Sequence, residues 1–212
     1  MIGEIAAKID SLPNKNRKLV AIAGAPASGK STLAARLLEH YGEDAAVLPM
    51  DGFHLDNSVL VRKGLLQRKG AHETFDAAGF VETVERVARG EHVYAPVFDR
   101  EADLARAGAI EIFQQKIIMV EGNYLLIDRA PWNELSQYWD LAFWLDAPMG
   151  EIEARCIARW LEQGFSREAA EKRARENDLV NAQFVIEAAP ARGSVIELRK
   201  RGEFWKFADS SV

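Results

Sequence analysis

The sequence is short of several features that would mark a particular class of protein. Cys156 is the only cysteine among 212 residues, so an internal disulfide and any CxxC zinc or redox motif are excluded. No apolar run approaches the roughly 20 residues that a membrane helix needs. The first twelve residues carry Lys8 and Asp10 inside their apolar pattern, unlike a secretory signal. We therefore expect a cytoplasmic protein with no membrane partner.

An excess of basic residues is also missing, because Lys and Arg total 27 against 32 Asp and Glu. The resulting net charge of −5 offers no overall attraction for nucleic acid. What is present is an ordinary globular composition, with 48% hydrophobic and 28% charged residues. Since no internal repeat is visible, the length predicts one domain over residues 1–212. The sequence leaves the oligomeric state open, a homodimer included.

Short apolar runs alternate along the chain with segments of helical periodicity. The predicted strands are Leu19–Ala23, Ala46–Met50, Ile117–Val120, Leu141–Leu145 and Val195–Leu198. The predicted helices are residues 2–12, 31–41, 77–89, 150–161 and 166–180. This alternation predicts an α/β fold, a three-layer sandwich with a central, mostly parallel sheet covered on both faces. Residues 52–75 lack regular periodicity and are expected to form a long functional loop.

In such a sheet, ligands bind beyond the carboxyl ends of the strands. The chain places Asp51, Glu121 and Asp146 just after three predicted strands, and a glycine loop follows the first strand. That loop reads Gly-Ala-Pro-Ala-Ser-Gly-Lys-Ser over residues 24–31 and matches the pattern G-x-x-x-x-G-K-[ST] in full. This motif between a strand and a helix predicts the P-loop nucleoside triphosphate hydrolase fold.

The chemistry of the loop follows from its residue types. Its backbone N–H groups and the N-terminus of the next helix would surround phosphate groups. Lys30 would reach the β and γ phosphates of ATP, and the Ser31 hydroxyl would ligate Mg²⁺. The nucleotide-binding residues are expected to be Gly24, Ala25, Pro26, Ala27, Ser28, Gly29, Lys30, Ser31 and Thr32. The alternative is a plain strand-to-helix turn.

Asp51 stands at the mouth of the second predicted strand. An enzyme that phosphorylates an alcohol needs a carboxylate there, which accepts the hydroxyl proton and aligns the oxygen with the γ phosphate. Asp51 is therefore a candidate catalytic base. Because Asp-Gly is also a common turn dipeptide, the alternative is a structural turn acid at Asp51 and Gly52.

Several motifs occur together in a fixed order. They are residues 24–32, Asp51-Gly52-Phe53-His54, residues 68–76, Pro96-Val97-Phe98-Asp99-Arg100 and Val120-Glu121-Gly122-Asn123-Tyr124. In this combination the chain resembles the P-loop small-molecule kinases that include uridine kinases, phosphoribulokinases and bacterial pantothenate kinases. It is most similar to short members provisionally named fructose transport system kinases. The resemblance runs from about residue 19 to about residue 200.

The resemblance implies a nucleoside-kinase-like fold, ATP as donor, Mg²⁺ as cofactor and Asp51 as catalytic carboxylate. It also implies that the acceptor is bound by His54, Lys69, Asp99, Arg100 and Glu121, with Glu121 near Mg²⁺ or a substrate hydroxyl. His54 has the alternative of a hydrogen-bonded loop histidine, and Arg100 that of a local ion pair. Uridine kinases usually carry a hydroxyl residue and a tyrosine in place of Gly52 and His54, and pantothenate kinases are longer. Neither nucleosides nor pantothenate are favoured as the acceptor.

Residues 155–180 carry many arginines and are expected to form a helical lid. A closing arginine can stabilise the charge that spreads over the phosphoryl oxygens during transfer, and the resemblance singles out Arg155, Arg159 and Arg173 as catalytic. The alternative is a solvated helix with salt bridges, since glutamates are interleaved with the arginines. The polar residues 177, 178 and 181 have no assigned role, and fold analogy places the adenine pocket at residues 189–193.

Two classes of function follow from these residues. The first is an ATP- and Mg²⁺-dependent kinase that phosphorylates a hydroxyl of a small polar metabolite such as a sugar, a nucleoside or a pantothenate-like compound. The second is a nucleotide-dependent switch or binding ATPase that acts through a protein partner. Asp51 and the long segment after it favour the kinase, because a switch needs a mobile γ-phosphate sensor and no acceptor pocket.

Overall fold

The structure is a computed structural model that describes residues 2–189, 195–201 and 204–208. Its helices are α1 (Ile2–Asp10), α2 (Lys30–Tyr41), α3 (Asn57–Lys63), α4 (Ala77–Ala88), α5 (Met149–Glu162), α6 (Arg167–Arg173) and α7 (Leu179–Ala188). Its strands are β1 (Lys18–Gly24), β2 (Ala45–Pro49), β3 (Val93–Asp99), β4 (Leu104–Ile112), β5 (Ile117–Gly122), β6 (Leu141–Asp146), β7 (Val195–Arg201) and β8 (Phe204–Phe207). One turn of π-helix, Ala174–Asp178, joins α6 to α7.

The six-stranded sheet has the order β2-β5-β1-β6-β7-β8. All neighbours pair in parallel except β7 and β8, which pair antiparallel. Alternate residues of β1 enter two separate apolar cores, Leu19 and Ala21 on one face and Val20 and Ile22 on the other. Because both of their faces are buried, the central strands β1, β5 and β6 are apolar over most of their length. The predicted three-layer α/β sandwich is confirmed.

The fold differs from the sequence prediction in several places, and two of them bear on the site. Residues 52–75 are not one long loop, because α3 and several 3₁₀ turns lie within them. The hairpin of β3 and β4 was not predicted, since Pro96 interrupts its apolar run and a proline counts against a strand. The pairing register shifts between Ala95 and Val97, so the hydrogen-bond ladder between β3 and β4 is irregular at Pro96.

The buried guanidinium of Arg17 ties the base of this hairpin to the sheet. It donates hydrogen bonds to the carbonyl oxygens of Val87, Glu91, Phe113 and Gln115, at 2.6–3.1 Å. These acceptors belong to the end of α4 and to the segments on either side of the hairpin, so one side chain fixes three pieces of backbone. Across the described parts of the chain, no helix combines the length and the apolar character needed to span a bilayer.

Candidate active site

The loop after β1 has the backbone geometry that its glycines predict. Gly24 has a φ of 152°, and a Cβ there would lie 2.6 Å from the carbonyl oxygen of Leu145 and 2.9 Å from the Ser28 hydroxyl. Gly29 is left-handed at φ 101° and begins α2, and Ala27 is also left-handed at φ 57°. The loop is therefore held tightly between β6 and α2, in a conformation that larger side chains at residue 24 would prevent.

Lys30, Ser31 and Glu121 form a polar group at the edge of the sheet, in which Lys30 and Glu121 are buried and Ser31 is exposed. The Lys30 ammonium donates to the carbonyl oxygen of Ala25 at 2.8 Å, and the Ser31 hydroxyl donates to Oε1 of Glu121 at 3.1 Å. Burial lowers the pKa of Lys30, with Glu121 and Asp51 opposing that effect. Burial, together with the nearby Asp51, raises the pKa of Glu121, with Lys30 opposing. A bound phosphate would add negative charge beside Lys30 and so favour the charged form of its ammonium.

Two cavities meet at this edge of the sheet. The smaller, of about 300 Å³, is lined by the phosphate loop together with Glu121, Gly122 and Arg155. The larger, of about 770 Å³, is lined by His54, Lys69, Phe98 and residues of the helical segment 159–181. The side chains that line both cavities are Pro26, Asp51, Arg100, Asn123 and Arg159.

Asp51 lies in a 3₁₀ turn, Met50–Phe53, directly after β2. Its Oδ2 accepts a hydrogen bond from Nη2 of Arg100 at 3.1 Å, and about a third of its side chain is exposed. The turn is fixed by a close approach of backbone, since a Cβ on Gly52 would lie 2.3 Å from the carbonyl oxygen of Pro96. The hairpin thus positions Arg100 against Asp51, and the carboxylate faces both cavities.

His54 lines the larger cavity between two aromatic rings. Its ring centre lies 4.0 Å from that of Phe75 and 4.6 Å from that of Phe98. Burial lowers the pKa of His54, so the ring is neutral near pH 7. Its Nδ1 lies 2.8 Å from the carbonyl oxygen of Asp51. Because a carbonyl only accepts, Nδ1 carries the proton and Nε2 is left as a hydrogen-bond acceptor.

Lys69 and Asp99 serve the hairpin more directly than the cavity. The Lys69 ammonium donates to Asn57 Oδ1 at 2.7 Å and to both Oδ1 and the carbonyl oxygen of Asp103 at 2.8 Å. It lines the larger cavity, but its three donors are used in joining α3 to the hairpin loop. Asp99 lines neither cavity, and its Oδ1 accepts from the backbone N–H of Ala102 at 3.0 Å. Its carboxylate therefore caps the hairpin turn.

The helical segment predicted as a lid packs directly on the phosphate loop. Ala25, Ile152, Cys156 and Ala174 share one small apolar cluster, which joins the loop to α5 and the π turn. Nη1 of Arg155 donates to the carbonyl oxygen of Ala27 at 3.1 Å, in the loop itself.

The three lid arginines occupy different positions. Arg155 lines the smaller cavity, Arg159 lines both, and Arg173 lines the larger one alone. Nη2 of Arg159 donates to Oδ1 of Asp178 at 3.1 Å. The guanidinium carbon of Arg173 lies 4.6 Å from the centre of the Trp160 ring. The segment thus brings two cations to the phosphate side and places a third on the acceptor side.

Sequence reasoning missed several lining residues. Asn123 lines both cavities, and its signal was its place two residues after Glu121 at a strand end. Phe98 and Trp160 form apolar walls of the larger cavity, and Asn181 is a buried polar residue on its lining. In the region assigned to adenine, residues 190–193 lie outside the described residues.

The residues at the smaller cavity fit a magnesium ion. The Ser31 hydroxyl and the Glu121 carboxylate supply hard oxygen donors that already lie 3.1 Å apart. Within the described ranges, no group of three or more His, Cys, Asp or Glu side chains could hold a metal ion. This sparse donor set suits Mg²⁺, which usually keeps several waters and binds through one or two protein groups and the phosphates of a substrate.

The strand, the phosphate loop and the helix α2 at the carboxyl edge of a parallel sheet define a P-loop nucleotide-binding protein. Residues 19–174 match the model of the phosphoribulokinase/uridine kinase family. The match spans more than half of the chain. The protein therefore belongs to this family, whose members are ATP-dependent small-molecule kinases.

Three relatives place the chain within the family. A protein from Silicibacter sp. TM1040, provisionally named a fructose transport system kinase, is 42% identical to this chain. Its crystal structure superposes on this one with a TM-score of 0.84, and the match covers 94% of this chain and 98% of the other. A protein provisionally named uridine kinase from Schizosaccharomyces pombe is 32% identical over 84% of this chain and 81% of its own. A pantothenate kinase from Shewanella sp. (strain ANA-3) is 33% identical over 72% of this chain but only 51% of its own.

Proposed function

We propose that the protein transfers the γ-phosphoryl group of ATP to a hydroxyl group of a small polar metabolite. The observation that carries this proposal is the position of Asp51, whose carboxylate lies where the two cavities meet. The smaller cavity has the phosphate loop and the larger has room for a metabolite. A base at the junction can act on a hydroxyl from one side as the phosphoryl group arrives from the other.

In the proposed reaction, the Asp51 carboxylate accepts the proton of the acceptor hydroxyl. The hydroxyl oxygen forms a new bond to the γ phosphorus, and the bond between that phosphorus and the β–γ bridging oxygen breaks. The bridging oxygen keeps its electron pair and leaves with ADP. Asp51 then returns its proton to solvent, so no covalent enzyme intermediate is formed.

Cations around the junction would stabilise the charge that develops on the phosphoryl oxygens. Lys30 and Arg155 line the smaller cavity, and Arg159 lines both cavities. Mg²⁺, held by Ser31 and Glu121, would neutralise charge on the β and γ phosphates. Arg100 holds the Asp51 carboxylate at 3.1 Å, and this keeps it oriented toward the acceptor.

Asp51→Asn tests the role of the base. We expect ATP affinity to change less than threefold, while acceptor-dependent ADP formation falls about 100- to 10,000-fold, as for loss of general base catalysis. Asp146→Asn is the matched control, because Asp146 ends the strand β6 at this same edge but pairs with Arg199 and lines neither cavity. Full turnover in Asp51→Asn would contradict the assignment.

An acceptor screen separates the two classes of function. ADP release is measured with sugars, nucleosides, pantothenate and other small alcohols, each added to the wild-type protein with ATP and Mg²⁺. A kinase gives ADP release that depends on the acceptor. If no acceptor stimulates ADP release and a protein partner does, the protein is a switch or a binding ATPase.

A further inference from the structure

The larger cavity is bigger than a hydroxyl group at Asp51 requires, and the far part of its lining belongs to the lid. Four cations line it, and three of them are already paired. Arg100 contacts Asp51 at 3.1 Å, Lys69 contacts Asp103 at 2.8 Å and Arg159 contacts Asp178 at 3.1 Å.

Arg173 is the fourth cation, and it has no ion pair within the part of the chain that the structure describes. Its guanidinium stacks on the Trp160 ring, 4.6 Å from the ring centre, and its buried Nε has no hydrogen-bond partner. Nε1 of Trp160 in turn donates to Oδ2 of Asp178 at 2.6 Å. The ring therefore orients Arg173 without using the terminal N–H groups of the guanidinium, which remain available to a ligand.

Asn181 lies on the same wall and is also unpartnered. It is only 4% exposed and lines the larger cavity, and its amide makes no hydrogen bond to any residue that the structure describes. The π turn Ala174–Asp178 lies between Arg173 and Asn181. Single π turns inside helices are frequent at functional sites. A buried amide facing a cavity is costly unless a ligand satisfies it.

We propose that Arg173 and Asn181 form a subsite for a carboxylate, so that the acceptor is a small hydroxy acid. Its carboxylate is held by the guanidinium and the amide N–H, and its hydroxyl extends toward Asp51. One unpaired guanidinium matches one negative charge, and Asp51 and Asp178 on the same lining would repel the second charge of a phosphate ester. The inference rests on the proposed kinase reaction and specifies its substrate class.

The test compares acids with their neutral and phosphorylated counterparts. The pairs are glycerate with glycerol and pantothenate with pantothenol, and glycerol 3-phosphate is the phosphate arm. We expect wild-type kcat/KM to be at least about tenfold higher for at least one acid than for its neutral partner, as for a charge-assisted contact. Arg173→Gln should bring that ratio to about one, chiefly through a higher KM for the acid. Arg167→Gln, an exposed change on the same helix, should keep the ratio.

Calorimetric binding of the acids in the presence of ADP separates the subsite from the reaction. We expect an acid to bind the wild-type protein and to bind at least about tenfold more weakly to Asn181→Asp, which adds a repelling charge. Binding without ADP formation would overturn the kinase reaction and leave the subsite standing. No binding by any acid, equal use of neutral partners, preference for the phosphate, or an equal fall in kcat for all acceptors in Arg173→Gln would overturn the subsite.

Discussion

Gly52→Ala tests how the hairpin sets the geometry of the site. In the structure, a Cβ on Gly52 would lie 2.3 Å from the carbonyl oxygen of Pro96, 2.7 Å from its carbonyl carbon and 3.2 Å from its Cγ. Ordinary contacts begin at 3.4 Å. Since two of these atoms are backbone, β3 must move away by about 1 Å, a displacement large enough to disturb catalysis.

That movement acts on the residues that β3 supports. Arg100 follows directly on β3 and contacts Asp51 at 3.1 Å, and Phe98 packs on His54. A misplacement of about 1 Å in a catalytic site can cost about 100-fold in rate, and overpacking costs about 1–3 kcal/mol of stability. We expect kcat/KM for the acceptor to fall about 100-fold, while ATP affinity stays within about threefold because the phosphate loop is untouched.

The assay is steady-state ADP formation together with ATP titration and thermal unfolding. Gly150→Ala is the control, since a Cβ there has nothing within 4 Å and the residue lies in an exposed turn of α5. It should leave both rate and stability unchanged or slightly improved. If Gly52→Ala keeps full kcat/KM and an unchanged Tm, the hairpin does not set the position of Asp51 and Arg100.

Three further predictions concern buried polar groups. Arg17→Met should lower the free energy of unfolding by about 2–4 kcal/mol in urea titrations, because the carbonyl oxygens that accept hydrogen bonds from the guanidinium would lose their donor. Burial lowers the pKa of His54 in the folded protein, so the unfolded chain binds more protons as pH falls through 6.5. Stability should therefore decline on acidification below that pH, and His54→Gln should decline less steeply. Burial raises the pKa of Cys156 to about 11, so a thiol reagent at pH 8 should react at least about 100-fold slower with native than with urea-unfolded protein.

Each of these has its own contrary outcome. Arg89→Met, an exposed change near the same segment, should cost far less stability than Arg17→Met, and equal costs would contradict the role of Arg17. Identical pH slopes for wild-type and His54→Gln proteins would show that His54 is not buried as described. Rapid modification of Cys156 in the native protein would show that its cluster opens readily.

The phosphate loop and the acids at the strand ends could be predicted because their signals are local. Gly24 and Gly29 have a fixed spacing in the sequence, and Asp51 and Glu121 follow apolar runs at an edge where parallel strands must end together. The order of strands in the sheet had no such signal. It depends on which pairs of apolar strands pack best, and that is decided by the whole core.

The acceptor side could be predicted only in part. Lys69 and Asp99 lie in motifs that resemble those of other kinases, but their contacts depend on the hairpin of β3 and β4. The hairpin itself could not be predicted, because Pro96 interrupts the apolar pattern of its first strand. The packing of α5, α6 and the π turn places the lid arginines on the linings of different cavities. Spacing along the sequence therefore could not assign Arg173 to the larger cavity.

Direct transfer from ATP to the acceptor is tested by following the phosphoryl group itself. Wild-type protein is given ATP labelled at the γ phosphate, Mg²⁺ and an acceptor from the screen, and the label is traced in acceptor, free phosphate and protein. We expect label in the acceptor ester in proportion to ADP, with loss of that transfer in Asp51→Asn and its retention in Asp146→Asn. Label on the protein, or release of free phosphate at a rate that no acceptor changes, would contradict direct transfer between the two cavities.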